Sequence, residues 1–179
     1  MAARKPLSLT PATRAALAIV ANTTPIRPSA THGVPDPDIA PLPTWVVGEL
    51  SALGLRPSGF AEDRDPTSYG QWSFDQPTFA AQFAVAYLAL ADMLPGKTSR
   101  DDLDSYGLKH AVARSWLSAG NMHSIYLTNG ALIAASLAHD YRVCRRLGLD
   151  KMNATVRIQR DWREVMLGNL QDVATMRCF

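Results

Sequence analysis

The 179 residues, 47% hydrophobic and 19% charged, suffice for one ordinary domain with a buried core and are too apolar for a chain disordered throughout. The net charge of +2 conceals a polar distribution: residues 1–35 carry four bases and no acid, residues 36–104 eleven acids against four bases, and residues 142–179 eight bases against four acids. Two cysteines, Cys144 and Cys178, exclude a disulfide scaffold, so a reducing, cytoplasmic setting is expected.

The chain opens with a basic head and a short apolar run, which fits a signal or transit segment over residues 1–22. A simpler reading is a helix capped by Thr10, with Pro11 at its first position, running to about Ala21. Pro25, Pro28, Pro35, Pro37, Pro41 and Pro43 follow, and residues without an amide hydrogen fit neither a helix interior nor a central strand. Residues 1–42 are therefore expected to form a helix and an extended Pro-rich arm whose deletion leaves a folded domain at 43–179.

A second, short helix spans Pro43 to Leu53, stopped by Gly54. Residues 55–76 hold too much Gly, Pro and Asp for a regular element and read as a surface loop carrying aromatics. The third helix starts near Asp75 as cap and ends before Pro95 and Gly96. Phe79, Phe83, Tyr87, Leu90 and Leu94 form a bulky face on it and Ala80, Ala84 and Ala91 a small one, a width of apolar arc that belongs at the centre of a core. This stretch is short of the roughly 20 residues that span a bilayer.

A fourth helix covers Ser105 to Leu117, and a fifth lies between Ile125 and Arg146, closed by Gly148. Asn153 to Arg160 alternates as a short strand whose partner is not legible. Asp161 caps a last amphipathic helix. The expected fold is mainly α, a compact helical domain of about five to six helices preceded by the Pro-rich arm.

Tyr106, His110 and Arg114 stand at steps of four on the fourth helix, a row that could move protons and hold an anion or could simply be a half-buried helix edge. His123, Ser124, His139, Asp140 and Cys144 include the residue types of a triad or a metal site, but no GxSxG, HExxH or paired CxxC accompanies them. No metal and no cofactor are expected. Cys144 among Arg142, Arg145 and Arg146 could be a reactive thiol, although a buried structural cysteine is the favoured reading. Thr128, Asn129 and Gly130 open a helix that could receive an anion, and here an ordinary cap with a close-approach glycine is favoured.

The sequence thus points to a non-enzymatic accessory or regulatory protein acting by binding another macromolecule, a protein above all. Trp45, Tyr69, Trp72 and Phe74 are the expected contact residues, since aromatics dominate interface hot spots. The alternatives are a small enzyme using Tyr106, His110 and Arg114, and a nucleic-acid-associated protein using Arg142, Arg145, Arg146, Arg157 and Arg160. No membrane span is expected, and self-association is left open.

Overall fold

A computed structural model of the chain describes residues 6–60, 73–120, 123–146 and 152–177. Helices dominate the described residues, and two small sheets make the architecture mixed rather than purely helical.

The first helix, α1 (Pro11–Thr23), begins as its sequence dictates. Pro11 occupies the first turn, and the Thr10 hydroxyl oxygen accepts from the Thr13 amide at 3.3 Å. A four-residue helix, α2 (Pro28–Thr31), interrupts the proline-rich stretch, with Pro28 at a helix start where its missing N–H costs nothing. The stretch packs on its own chain: Leu9, Leu17, Ala21, Ile26, Ala30, Ile39 and Leu42 are all buried. Glu49, from α3 (Thr44–Ala52), accepts from the Thr10 amide at 2.6 Å and from the hydroxyls of Thr10 and Thr13, tying α3 to the start of α1.

Residues 55–60 are not loop, as expected, but a two-residue-strand hairpin of β1 (Leu55–Arg56) and β2 (Gly59–Phe60). Gly59 makes this possible: its φ is +129°, and a Cβ there would lie 2.3 Å from the Met152 carbonyl oxygen.

The central helix, α4 (Pro77–Ala89), is buried from Thr78 through Ala86 and packs against α1, α2, α6 (Asn129–Ala138) and α7 (Trp162–Arg177). Gln82 is fully buried inside this apolar helix. Its amide donates to the Thr31 carbonyl at 2.9 Å and its oxygen accepts from the Thr128 amide at 2.9 Å, joining the arm to the cap of α6. Two features of α4 differ from expectation. Gln76, not Asp75, is the N-cap, and the helix stops at Ala89, which leaves Leu94 66% exposed instead of on the core face. The stop is enforced by side chains that take the last carbonyls. His139 Nε2 donates to the Tyr87 oxygen at 2.7 Å, the Asn169 amide to those of Ala89 and Ala91 at 3.3 and 2.7 Å, and the Tyr141 hydroxyl to those of Leu90 and Met93 at 2.8 and 2.9 Å.

The expected strand is β5 (Ala154–Arg157), and it has two partners. β3 (Asp102–Asp104) and β4 (Arg142–Arg145) flank it antiparallel in the order β3-β5-β4. The helix expected to run from Ile125 to Arg146 is corrected accordingly: α6 ends at Ala138, Asp140 adopts a left-handed φ of +59°, and the chain turns into β4. Sheet pairing wins here because it buries Val143 against Val156, both fully enclosed. Between β3 and α6 lies α5 (Ser105–Ser118), capped by Asp104, whose carboxylate accepts from the Tyr106 amide at 2.7 Å.

Candidate functional site

Strand register sorts the sheet residues onto two faces. Leu103, Val156 and Val143 stand opposite one another and face inward. The two rows that flank them face outward: Asp102, Arg157 and Arg142 in one, Asp104, Thr155 and Cys144 in the other. Between these rows opens a pocket of about 250 Å³ lined by Asp102, Arg142, Cys144, Thr155 and Arg157. Asp102 holds Arg157 by two bonds, Nε to Oδ1 at 2.6 Å and Nη2 to Oδ2 at 3.1 Å, a bidentate arrangement that fixes the guanidinium plane. Hydrogen bonding to Asp102 raises the Arg157 pKa further above its ordinary value. Arg142 is exposed and makes no ion pair with any described residue.

The five arginines named from sequence therefore separate. Arg142 and Arg157 meet at the pocket, Arg146 is paired with Asp104, and Arg160 donates to Asp101 at 3.0 Å. Arg145 belongs to the other face, its guanidinium 5.2 Å from the centre of the Phe60 ring. The acids of the Asp101–Asp104 stretch, on the far side of β5, were not singled out from sequence as partners of this basic zone.

Tyr106 and His110 lie on the open surface of α5, as does Arg114. The Tyr106 and His110 rings meet edge to face at 4.6 Å, and the Lys109 ammonium lies 4.5 Å over the Tyr106 ring. Burial, followed by the charges of Lys109 and Arg114, lowers the His110 pKa. The row is formed as the spacing implies, but the pocket described above lies elsewhere, on the sheet.

Among the aromatics expected to touch a partner, Trp45 is 53% exposed on the first turn of α3. Phe74 is a correction: it is 4% exposed and packs edge-on against Phe79 at 4.7 Å, part of the core rather than of a surface. Tyr69 and Trp72 lie outside the described residues.

The start of α6 carries an ordinary cap. The Thr128 hydroxyl oxygen accepts from the Ala131 amide at 3.3 Å, and the Gly130 amide donates to the Pro57 carbonyl at 2.8 Å, so the hairpin turn occupies the place an anion would take. A Cβ on Gly130 would sit 2.1 Å from the Arg56 carbonyl oxygen and 2.5 Å from that of Pro57, both backbone atoms. Gly130→Ala is therefore expected to cost about 1–3 kcal/mol through overpacking. Gly107→Ala, on α5 with nothing within 4 Å of the added carbon, should instead gain up to about 1 kcal/mol of helix propensity. Denaturant melts of the two variants read the contrast.

His139, Asp140 and Cys144 do not converge. Asp140 pairs with Arg14 at 2.5 Å, Cys144 faces the sheet pocket, and His139 is stacked between Tyr87 at 4.0 Å and Tyr141 at 5.5 Å between ring centroids. Trp116 Nε1 donates to the His123 carbonyl at 3.0 Å, a packing contact. No group of three metal-ligating side chains occurs among the described residues. Burial lowers the His139 pKa against the opposing pull of the Tyr87 carbonyl and Asp92, so the folded protein resists protonating this ring. Below the ordinary histidine value of about 6.5 the unfolded chain takes up a proton that the folded one refuses. Stability is thus expected to fall as pH drops from about 6.5 toward the depressed folded value, and His139→Gln should flatten that part of a Tm-against-pH curve.

Comparison of the chain with protein-family models, with curated proteins and with solved structures finds no match. Among the described residues no helix is long and apolar enough to cross a membrane.

Proposed function

We propose that the protein acts without catalysis, as an accessory or regulatory subunit that binds another protein, with Trp45 in the contact surface. The observation that carries this reading is the exposure of an indole on a helix whose neighbouring Val46 and Leu50 are fully buried. A tryptophan contributes 150–250 Å² when covered, so half-exposure leaves roughly 100 Å², or about 2–3 kcal/mol, available to a partner. Ile19 and Val34, 64% and 54% exposed, add apolar surface in the same N-terminal third of the chain. Two observations weigh against the alternatives. The Tyr106, His110 and Arg114 row is on the exposed side of α5, whereas proton transfer and charge stabilisation are strengthened in an enclosed site. Arg146, Arg157 and Arg160 are each engaged by an aspartate, which offsets the charge that three of the five arginines could offer a nucleic-acid backbone.

The test is affinity capture from the native cell with quantitative mass spectrometry, comparing the wild type with Trp45→Ala. A defined protein that co-purifies with the wild type and falls at least about tenfold with Trp45→Ala, at unchanged Tm, is the expected result, a loss equivalent to about 1.4 kcal/mol. Equal recovery by both chains removes Trp45 from the interface.

A further inference from the structure

We infer that the outer face of the three-stranded sheet is a binding site for a small monocarboxylate, a function independent of the protein–protein reading above. The argument starts from the charge order of one cross-strand row. In the register Asp102, Arg157, Arg142, two cations stand directly opposite each other on adjacent strands, an arrangement that repels. The one acid of the row spends both oxygens on Arg157. Arg142 is left without an acid among the described residues, so the pocket lining carries two guanidinium groups against one carboxylate, a net single positive charge.

A bound carboxylate supplies the missing charge. It would accept from Arg142, whose planar fork suits a carboxylate, and from the Arg157 Nη1 edge, which makes no bond to a described residue. The Thr155 hydroxyl, whose own bond to the Cys144 carbonyl is long at 3.4 Å, lies in the same lining and offers a further donor. The volume of about 250 Å³ admits a small organic acid rather than a polymer. A single negative charge neutralises this lining, which matches a monocarboxylate. Asp102 acts in two ways: it orients Arg157, and it weakens anion affinity by its own charge.

The experiment titrates the full-length protein with acetate, acetamide and inorganic phosphate at constant ionic strength, following backbone amide resonances. Acetate should give saturable shifts at Arg142, Val143 and Cys144 and at Thr155, Val156 and Arg157, with a dissociation constant on the order of 1 mM, while acetamide gives none. Arg142→Ala, an exposed side chain whose removal leaves the fold intact, should weaken acetate at least tenfold. Asp102→Asn should strengthen it several-fold. In a Cys178→Ser background, acetate should also slow alkylation of Cys144 by iodoacetamide, because the thiol lines the same pocket. Unsaturable acetate shifts, an Arg142→Ala protein that binds like the wild type, or tighter binding of phosphate than of acetate would each overturn the assignment.

Discussion

Phe83→Asp is expected to abolish cooperative unfolding, leaving a chain with no thermal transition. Phe83 is fully enclosed on α4, the helix against which α1, α2, α6 and α7 all pack. Truncating such a ring alone costs about 3–5 kcal/mol, and the aspartate adds a carboxylate with no polar partner in that environment. A domain of this size has about 5–15 kcal/mol in hand, so the substitution consumes most or all of it. Phe83→Leu, which keeps an apolar side chain there, should remain folded with a lowered Tm. A wild-type melting curve for Phe83→Asp would show that this face of α4 is not in the core.

Deleting residues 1–42 is the second large effect. Composition alone makes this segment a dispensable arm, but its aliphatic side chains Leu9, Leu17, Ile26, Ile39 and Leu42 are all within 4% of full burial. Each such side chain contributes on the order of 1.5–3 kcal/mol when buried. The truncation also removes the Thr31 carbonyl that receives the Gln82 amide, so that hydrogen bond, worth about 0.5–1.5 kcal/mol, is lost as well. The expected outcome is a protein that precipitates or shows a broad, non-cooperative melt by circular dichroism. A sharp transition near the wild-type temperature would establish residues 43–179 as an autonomous unit.

These two cases also mark what was legible in the sequence. Helix starts with a stereochemical signature could be read: Thr10 with Pro11, and Thr128 before Asn129. The centre of the core could be read too, because α4 is apolar around nearly its whole circumference. The sheet was half legible. The alternation of β5 was visible, but β3 is three residues with two carboxylates and β4 is arginine-rich with a single large aliphatic, Val143. Strands that short offer one or two inward positions, too few for a period of two to emerge. The β3–β5 pairing spans 55 residues between Asp102 and Arg157, beyond the reach of any local pattern.

The candidate site suffered from the same gap. The basic residues were evident as a run, but only the register separates Arg145, on the inner face, from Arg142 and Arg157 on the outer one. Phe74 illustrates the converse: a loop composition says nothing about which aromatic turns inward, and its edge-on contact with Phe79 is a tertiary fact. The proline stretch misled for a related reason. Proline forbids regular hydrogen bonding, yet it leaves the intervening Ile26, Ile39 and Leu42 free to be buried.

The position of α4 in the chain has a consequence for biosynthesis. Its cover comes from both directions: α1 and α2 are made before it, whereas α6 and α7, and with them Tyr141 and Asn169 that close its carbonyls, are made after it. At about 5–20 residues per second, the interval of roughly 80 residues between Ala89 and Leu170 lasts roughly 4–16 s. Through that interval the helix that is buried from Thr78 through Ala86 in the finished fold lacks the cover of α6 and α7. A chain that ends before Asn129 lacks α6, the helix that covers one side of α4, and is expected to expose that apolar side, a state in which aggregation competes with folding.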